Sequence, residues 1–197
     1  MNGPRIAAVV LAAGRSSRLP GNKLLQSLGG KPVVRYAVEA ALSSCASSVV
    51  VVTGHDQAKV AAALADLSVE IVNSNAYSDG LSASLKCGLS QVPTASDGAL
   101  ILLGDMPLVT ASLLDRLIEQ FAPSAGREIC VPLSKGRRGN PVLWSRRFFA
   151  ELMTIAGDKG GKHLMRLHEQ AVAELEVMDD GVLIDIDTPD DLRRLGS

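Results

Sequence analysis

Two short segments carry residues whose types and spacing suit phosphate chemistry. The first is Leu11-Ala12-Ala13-Gly14-Arg15-Ser16-Ser17-Arg18, followed by Lys23. Small residues at 12–14 let the backbone approach a ligand closely, and their successive amides can form a nest for anionic oxygens. Arg15, Arg18 and Lys23 add three cations able to neutralise a triphosphate. The loop is neither a Walker A sequence nor a dinucleotide fingerprint. Gly14 has no second glycine two residues on, and no GxxxxG precedes Lys23. A plain glycine turn flanked by solvated arginines is the competing reading.

The second segment is Gly104-Asp105-Met106-Pro107, at the end of the apolar run Ala99–Leu103. A hard carboxylate at the carboxyl end of a buried strand, with Pro107 fixing the chain direction, suits Mg2+. That ion takes one or two protein carboxylates and completes its shell with phosphate oxygens. The competing reading is a turn aspartate satisfying its own backbone. A further acidic pair lies in Ile184-Asp185-Ile186-Asp187-Thr188-Pro189. The pattern predicts Asp185 within a last strand and Asp187 at its exit. Thr188 as a helix N-cap, with Pro189 at the first helical position, accounts for residues 188–191 without any function. It leaves Asp187 over, and Asp187 is assigned as the second metal ligand beside Asp105.

These loops need a scaffold. Short apolar runs recur at Ile6–Leu11, Val49–Thr53, Val69–Val72, Ala99–Leu103, Ile129–Val131 and Val182–Ile186. Several are continuous and rich in Val and Ile, as strands buried on both faces are. Helical patterns fall near 32–44, 56–65, 80–90 and 110–121. The alternation predicts an α/β fold, a three-layer α/β/α sandwich around a Rossmann-like, mostly parallel sheet. Ligands of such sheets bind beyond the carboxyl ends of the strands, so the loops after residues 11, 53, 72, 103 and 140 are the places for chemistry. Segment 141–177 breaks the rhythm, with a short strand at 141–143 and helical patterns near 145–154 and 159–169. The whole chain, 1–197, reads as one domain with an excursion at about 133–177.

Bulk properties mainly exclude. The 197 residues carry 20 Lys+Arg against 21 Asp+Glu, for a net charge of −1, which argues against a polyanionic polymer or a membrane surface as partner. One Trp, two Tyr and three Phe offer no stacking platform for single strands. Cys45, Cys87 and Cys130 are scattered, with no CxxC pair, and read as reduced thiols of a cytoplasmic protein. The run Ile6–Ala13 leads into a glycine turn, so it reads as a first strand and not a signal peptide. Charge is segregated: six cations and no acid in 1–38, five cations and no acid in 129–150, eight acids and no Lys or Arg in 174–191. Two acid-free blocks imply small external anions.

The chain resembles the MobA-like nucleotidyltransferases over nearly its whole length. The resemblance rests on residues 11–18 with Lys23, on Gly104-Asp105-Met106-Pro107, on Gly139-Asn140-Pro141-Val142 and on Asp185-Ile186-Asp187-Thr188-Pro189. Within that family it is most similar to the molybdenum cofactor cytidylyltransferases, which join CTP and molybdopterin and release pyrophosphate. The fold implied is of the nucleotide-diphospho-sugar transferase type. The nucleotide site implied is Leu11, Ala12, Ala13, Gly14, Arg15, Ser16 and Lys23, with Asp105. Gly80-Leu81-Ser82-Ala83-Ser84 matches the loop lying against base and ribose, which adds Gly80 and Ser84. Arg15, Arg18, Lys23 and Asp105 would be catalytic, with Mg2+ on Asp105 and Asp187. Guanylyl relatives tend to carry a second glycine where Ala13 stands, which favours CTP over GTP. Leu19 departs from the family's usual methionine, a packing change.

The reaction implied is in-line attack of a phosphate monoester on the α-phosphorus of CTP. Positioning and electrostatics carry such transfers, and no general base is needed for an ionised phosphate. For the acceptor, the basic loop 135–140 offers Arg137 or Arg138 near the pterin phosphate and Asn140 against the pterin; a solvated hairpin is the alternative. Gly157–Lys162 is a second acceptor loop or a simple helix connection. His55 either faces the nucleotide or is incidental, Asp56 reads as an N-cap, and His163 and His168 read as surface residues. A molybdoenzyme or its chaperone is the further partner the resemblance allows, with no nucleic acid and no membrane. A transferase using GTP or another phosphorylated acceptor, and a non-catalytic cofactor-binding chaperone, are the competing functions.

Overall fold

The computed structural model describes residues 3–14, 21–157 and 161–196. In chain order the strands are β1 (Ile6–Ala12), β2 (Ser27–Leu28), β3 (Lys31–Pro32), β4 (Ser48–Thr53), β5 (Glu70–Asn73), β6 (Gly98–Leu103), β7 (Ile129–Ser134), β8 (Arg137–Arg138), β9 (Val142–Ser145) and β10 (Val172–Glu176). The helices are α1 (Val33–Leu42), α2 (Gln57–Ala63), α3 (Leu81–Gln91), α4 (Ala111–Gln120), α5 (Phe149–Leu152), α6 (Lys162–Leu167) and α7 (Pro189–Gly196). The main sheet runs β10-β7-β9-β6-β1-β4-β5, with β8 paired to β7. Strands β1, β4, β5 and β6 pair in parallel; β9 is inserted antiparallel between β6 and β7.

Every residue of β1 is buried, because helices cover both faces of the sheet. Its side chains alternate between two cores, as the two-residue period of a strand requires. Ile6, Ala8, Val10 and Ala12 pack in one layer with α1, α2 and α4. Ala7, Val9, Leu11 and Ala13 pack in the other with α3, α5 and α6. The helices answer with matching stripes: Leu113, Leu114, Leu117 and Ile118 of α4 face one layer, and Leu85 and Leu89 of α3 the other. The expected three-layer α/β sandwich with a Rossmann-like, mostly parallel sheet is what these layers form.

The last strand is not where the apolar pattern puts it. Residues 181–183 form a 3-10 turn and 184–187 carry no ladder. The segment is instead tethered across the carboxyl edge of the sheet, where Val182 accepts from the Asn140 amide (2.9 Å) and the Ile186 amide donates to Asp105 (2.9 Å). The edge strand is β10, parallel to β7. Its sequence Val-Ala-Glu-Leu-Glu alternates, as a half-solvated edge does, and lacks the continuous run of a central strand. Helix 145–154 reduces to a 3-10 turn and the four-residue α5. Among the described residues no helix is long and apolar enough to cross a membrane.

Candidate nucleotide and metal site

The register of β1 against β6 pairs Leu11 with Leu103. The two chemical loops therefore emerge side by side, and the Gly104 amide donates to the Leu11 carbonyl at 2.9 Å. Adding a Cβ at Gly104 would bring it 3.2 Å from that carbonyl oxygen, so any side chain there needs the two loops to give by a few tenths of an ångström. The register of β1 against β4 pairs Ala12 with Thr53, and the His55 amide donates to Ala13 (3.3 Å). Leu11, Ala12 and Ala13 are buried and Gly14 is exposed. Arg15, Ser16, Ser17, Arg18 and Leu19 lie outside the described residues.

Lys23 opens a 3-10 turn, Lys23–Leu25, whose first amides are served by Asn22: Oδ1 of Asn22 accepts from the Leu24 amide at 3.0 Å. From that fixed backbone the Lys23 ammonium reaches Asp105 Oδ2 at 2.6 Å and Asp187 Oδ1 at 2.7 Å. Burial alone would lower the Lys23 ammonium, but the charge of Asp105, with hydrogen bonds to Asp105 and Asp187, holds it above the ordinary lysine value. Asp105 and Asp187, 82 residues apart, are thus brought together, as their assignment to one site requires.

Asp185 joins them. Each of Asp105, Asp185 and Asp187 offers a carboxylate oxygen, and these atoms lie within 4.8 Å of one another. Partial burial, then repulsion from Asp105 and Asp187, pushes the carboxyl of Asp185, a residue that still reaches solvent, above its usual range. Its assignment to a strand interior hid this position from the sequence pattern. Oδ1 of Asp105 is buried and has no hydrogen-bond partner among the described residues. A hard oxygen donor set with an orphaned buried oxygen fits a divalent cation such as Mg2+ or Mn2+. Thr188 caps α7 as expected, exchanging bonds with Asp191 in a box (Thr188 Oγ1 to Asp191 Oδ2, 2.7 Å) that also receives the Asp187 amide.

Gly80 precedes α3 at φ +98°, a conformation that side chains avoid. Ser82 and Ser84 in the first turn of α3 are buried, and the Ser82 amide donates to Gly157 (3.1 Å). Beside α3 lies a cavity of about 650 Å³. Leu11, Leu81, Leu103, Val142, Trp144, Leu152 and Met165 supply its apolar lining, and Arg137, Arg138, Asn140, Lys162 and Arg166 line it as well. Gly161 presses on the indole of Trp144, where a Cβ would come within 2.4 Å.

The two arginines of the basic loop part company here. Arg137 is exposed. Arg138 is clamped, donating through Nε to Glu174 at 2.7 Å and through its other nitrogens to Glu169. The acid-free block 129–150 is therefore not acid-free in space: Arg147 meets Glu128 (2.8 Å) and Lys135 meets Asp180. The same correction applies to 1–38, where Lys31 and Arg35 pair with Glu39, and Arg35 also with Asp66. Counter-charges far along the chain fold onto both blocks, so local charge counts overstate their pull on an external anion.

The smaller expectations divide. Asp56 stands at the N-terminus of α2 but makes no side-chain cap bond; its backbone is left-handed (φ +56°) and its carboxylate meets Lys59 (3.1 Å). His163 is exposed, while His168 is half-buried, packed against Phe148 and 2.7 Å from Glu151. Of the loop 157–162, residues 158–160 lie outside the described residues.

With this geometry in view, the chain matches the family model "MobA-like NTP transferase domain" over residues 8–173. It is 30% identical over 206 aligned positions to the purine catabolism protein PucB of Bacillus subtilis, covering 97% of this chain and 96% of that one. It is 36% identical over 177 residues to the bifunctional protein GlmU of Sorangium cellulosum, covering 86% of this chain and 35% of GlmU. The chain thus spans about a third or less of the GlmU proteins it matches. Among solved structures, Rv0371c from Mycobacterium tuberculosis superposes with a TM-score of 0.86 at 33% identity, covering 98% of both chains. A complex of that protein with manganese superposes at 0.82 and 31% identity, again over 98% of each.

Proposed function

Because this chain belongs to the MobA-like NTP transferase family, whose members are nucleotidyltransferases, we propose that it transfers CMP from CTP to molybdopterin in a Mg2+-dependent reaction that releases pyrophosphate. The observation that carries the reading is the junction at the carboxyl ends of β1 and β6. There, three carboxylates and Lys23 gather just past strands whose last residues, Leu11 and Leu103, also line an apolar-walled cavity that carries cations. One end suits a charged triphosphate and the other a ring system that bears a phosphate.

In this reading the loop 12–18 and Lys23 hold the CTP phosphates, and Gly80 and Ser84 border the base and ribose. Asp105, Asp185 and Asp187 hold the metal, which when bound spreads the charge that builds on the α-phosphoryl oxygens and the departing pyrophosphate. Arg15 and Arg18 neutralise the same charge. The excursion at about 133–177 forms the acceptor lobe: Trp144 and Met165 give an apolar surface for the pterin, and Asn140 borders it. Arg137, Lys162 and Arg166 supply cations for the acceptor phosphate, and Arg138 holds the lobe together through Glu169 and Glu174. An attacking phosphate is already ionised near neutral pH, so positioning carries the step.

The test is pyrophosphate release by purified protein with Mg2+, molybdopterin with and without molybdate, and each nucleoside triphosphate in turn. Release with CTP alone is the expected result. Release with GTP alone would reassign the donor, and none with any nucleotide would overturn the reading.

A further inference from the structure

The cation between Asp105 and Asp187 in this structure is the protein's own. We infer that the Lys23 ammonium holds the place of the divalent metal and yields it when metal and nucleotide enter, so that Lys23 sets how tightly the nucleotide-free site takes a metal. The inference rests on the metal-and-nucleotide reading above and concerns the state before substrate arrives.

Three carboxylates whose oxygens lie within 4.8 Å would repel one another without a counter-ion. Lys23 supplies that counter-ion from 2.6 and 2.7 Å. Mg2+ would sit about 2.0–2.1 Å from the oxygens it binds. A divalent ion and an ammonium cannot both approach Asp105 Oδ2 and Asp187 Oδ1 so closely: they compete for the same lone pairs and repel each other. Asp105 keeps Oδ1 buried and without a partner among the described residues, an acceptor that the lysine leaves unused and a metal can claim.

The lysine is also placed to leave. Its backbone is pinned by the Asn22 cap and by the Leu25 amide on the Asn22 carbonyl (3.0 Å), and Leu24 is buried. Departure therefore needs exchange of the ion pairs and rotation of a flexible four-carbon stem, with no refolding of the turn. The phosphates of a nucleotide at the backbone of residues 12–14 offer the ammonium a new partner as the metal takes the old ones. Metal and nucleotide then bind cooperatively, because the nucleotide draws off the lysine that competes with the metal, and the metal releases that lysine to the nucleotide.

Mn2+ binding, read as loss of the free-ion EPR signal without nucleotide, tests this on the wild-type protein, Lys23→Gln and Lys23→Met. Both variants are expected to bind Mn2+ at least ten-fold more tightly than wild type, and their thermal midpoints to rise more on Mn2+ addition. The Met variant keeps the aliphatic stem, so a failure of the Gln variant to fold does not remove the test. Affinity in the variants equal to or weaker than wild type would overturn the inference. A second arm adds CTP and reads the Mn2+ that stays with the protein through gel filtration, because free CTP chelates Mn2+ and removes the free-ion signal by itself. If all three proteins then retain Mn2+ while the nucleotide-free affinities are equal, only the lysine's role falls. If none retains Mn2+ even with CTP, the metal-and-nucleotide reading falls with it.

Discussion

Lys23 Nζ lies 2.6 Å from Asp105 Oδ2 and 2.7 Å from Asp187 Oδ1, so one side chain from the first loop ties the ends of two others. Asp105 is the most deeply placed acid of the cluster, and its main chain also anchors Ile186. Asp105→Asn keeps the volume and removes the charge. The variant should fold, as judged by circular dichroism, and should lose about 10²–10³-fold in pyrophosphate release, the scale expected when a group facing developing charge is removed. Turnover near wild type would take Asp105 out of the chemistry.

Gly139 couples the basic loop to the acidic segment. A Cβ there would meet the Val182 carbonyl oxygen at 2.3 Å, a backbone contact that cannot rotate away. Gly139→Ala should displace residues 181–187 and with them Asp185 and Asp187. The expected cost is about 1–3 kcal/mol of stability by urea unfolding, as for other overpacked sites. Mn2+ affinity should fall as well. Gly136→Ala is the control for loop composition, since a Cβ there meets nothing, although its backbone (φ +70°) makes a smaller strain cost expected.

Much of this arrangement is legible in the chain. Continuous Val/Ile runs mark the buried strands because both faces are covered; Asp105 stands out because it follows such a run, and Asp187 because capping does not use it up. What escapes is what depends on distant neighbours. The run at 182–186 has strand composition but no ladder partner, while the alternating Val172–Glu176 finds one beside β7. Asp185 looks internal to a strand until that strand is absent. Lys23 and Arg138 look like unspent cations until acids 82 or more, and 31 and 36, residues away fold onto them.

The three thiols should separate by burial. Cys130 is buried, and burial pushes its thiol up to about 12. Cys45 is exposed, though its bond to Asp115 and that carboxylate's charge raise it above the ordinary cysteine value. Only thiolate reacts with a disulfide reagent. At pH 8 Cys45 should therefore label first in native protein, and Cys130 only at the rate of unfolding. Rapid native labelling of Cys130 would contradict its place in the core.

Arg137 and Arg138 are adjacent in sequence and opposite in circumstance, which gives the sharpest test of the acceptor lobe. Arg137→Ala should raise the acceptor KM with little change in thermal midpoint, because Arg137 is exposed on the cavity lining. Arg138→Ala should instead lower the midpoint, by a few degrees for a chain of this size, because it releases Glu169 and Glu174. The hydrogen bond from Arg138 holds the Glu169 carboxyl below its ordinary 4.5. A depressed carboxyl stabilises the fold above its unfolded pKa, and that contribution is lost as pH falls through the folded value. The difference in midpoint between wild type and Arg138→Ala should therefore hold from neutral pH down to about 4.5 and shrink below it. A difference that persists undiminished into strong acid would mean that Arg138 acts through packing and not through its ion pairs, and equal KM effects from both variants would return Arg138 to the acceptor site.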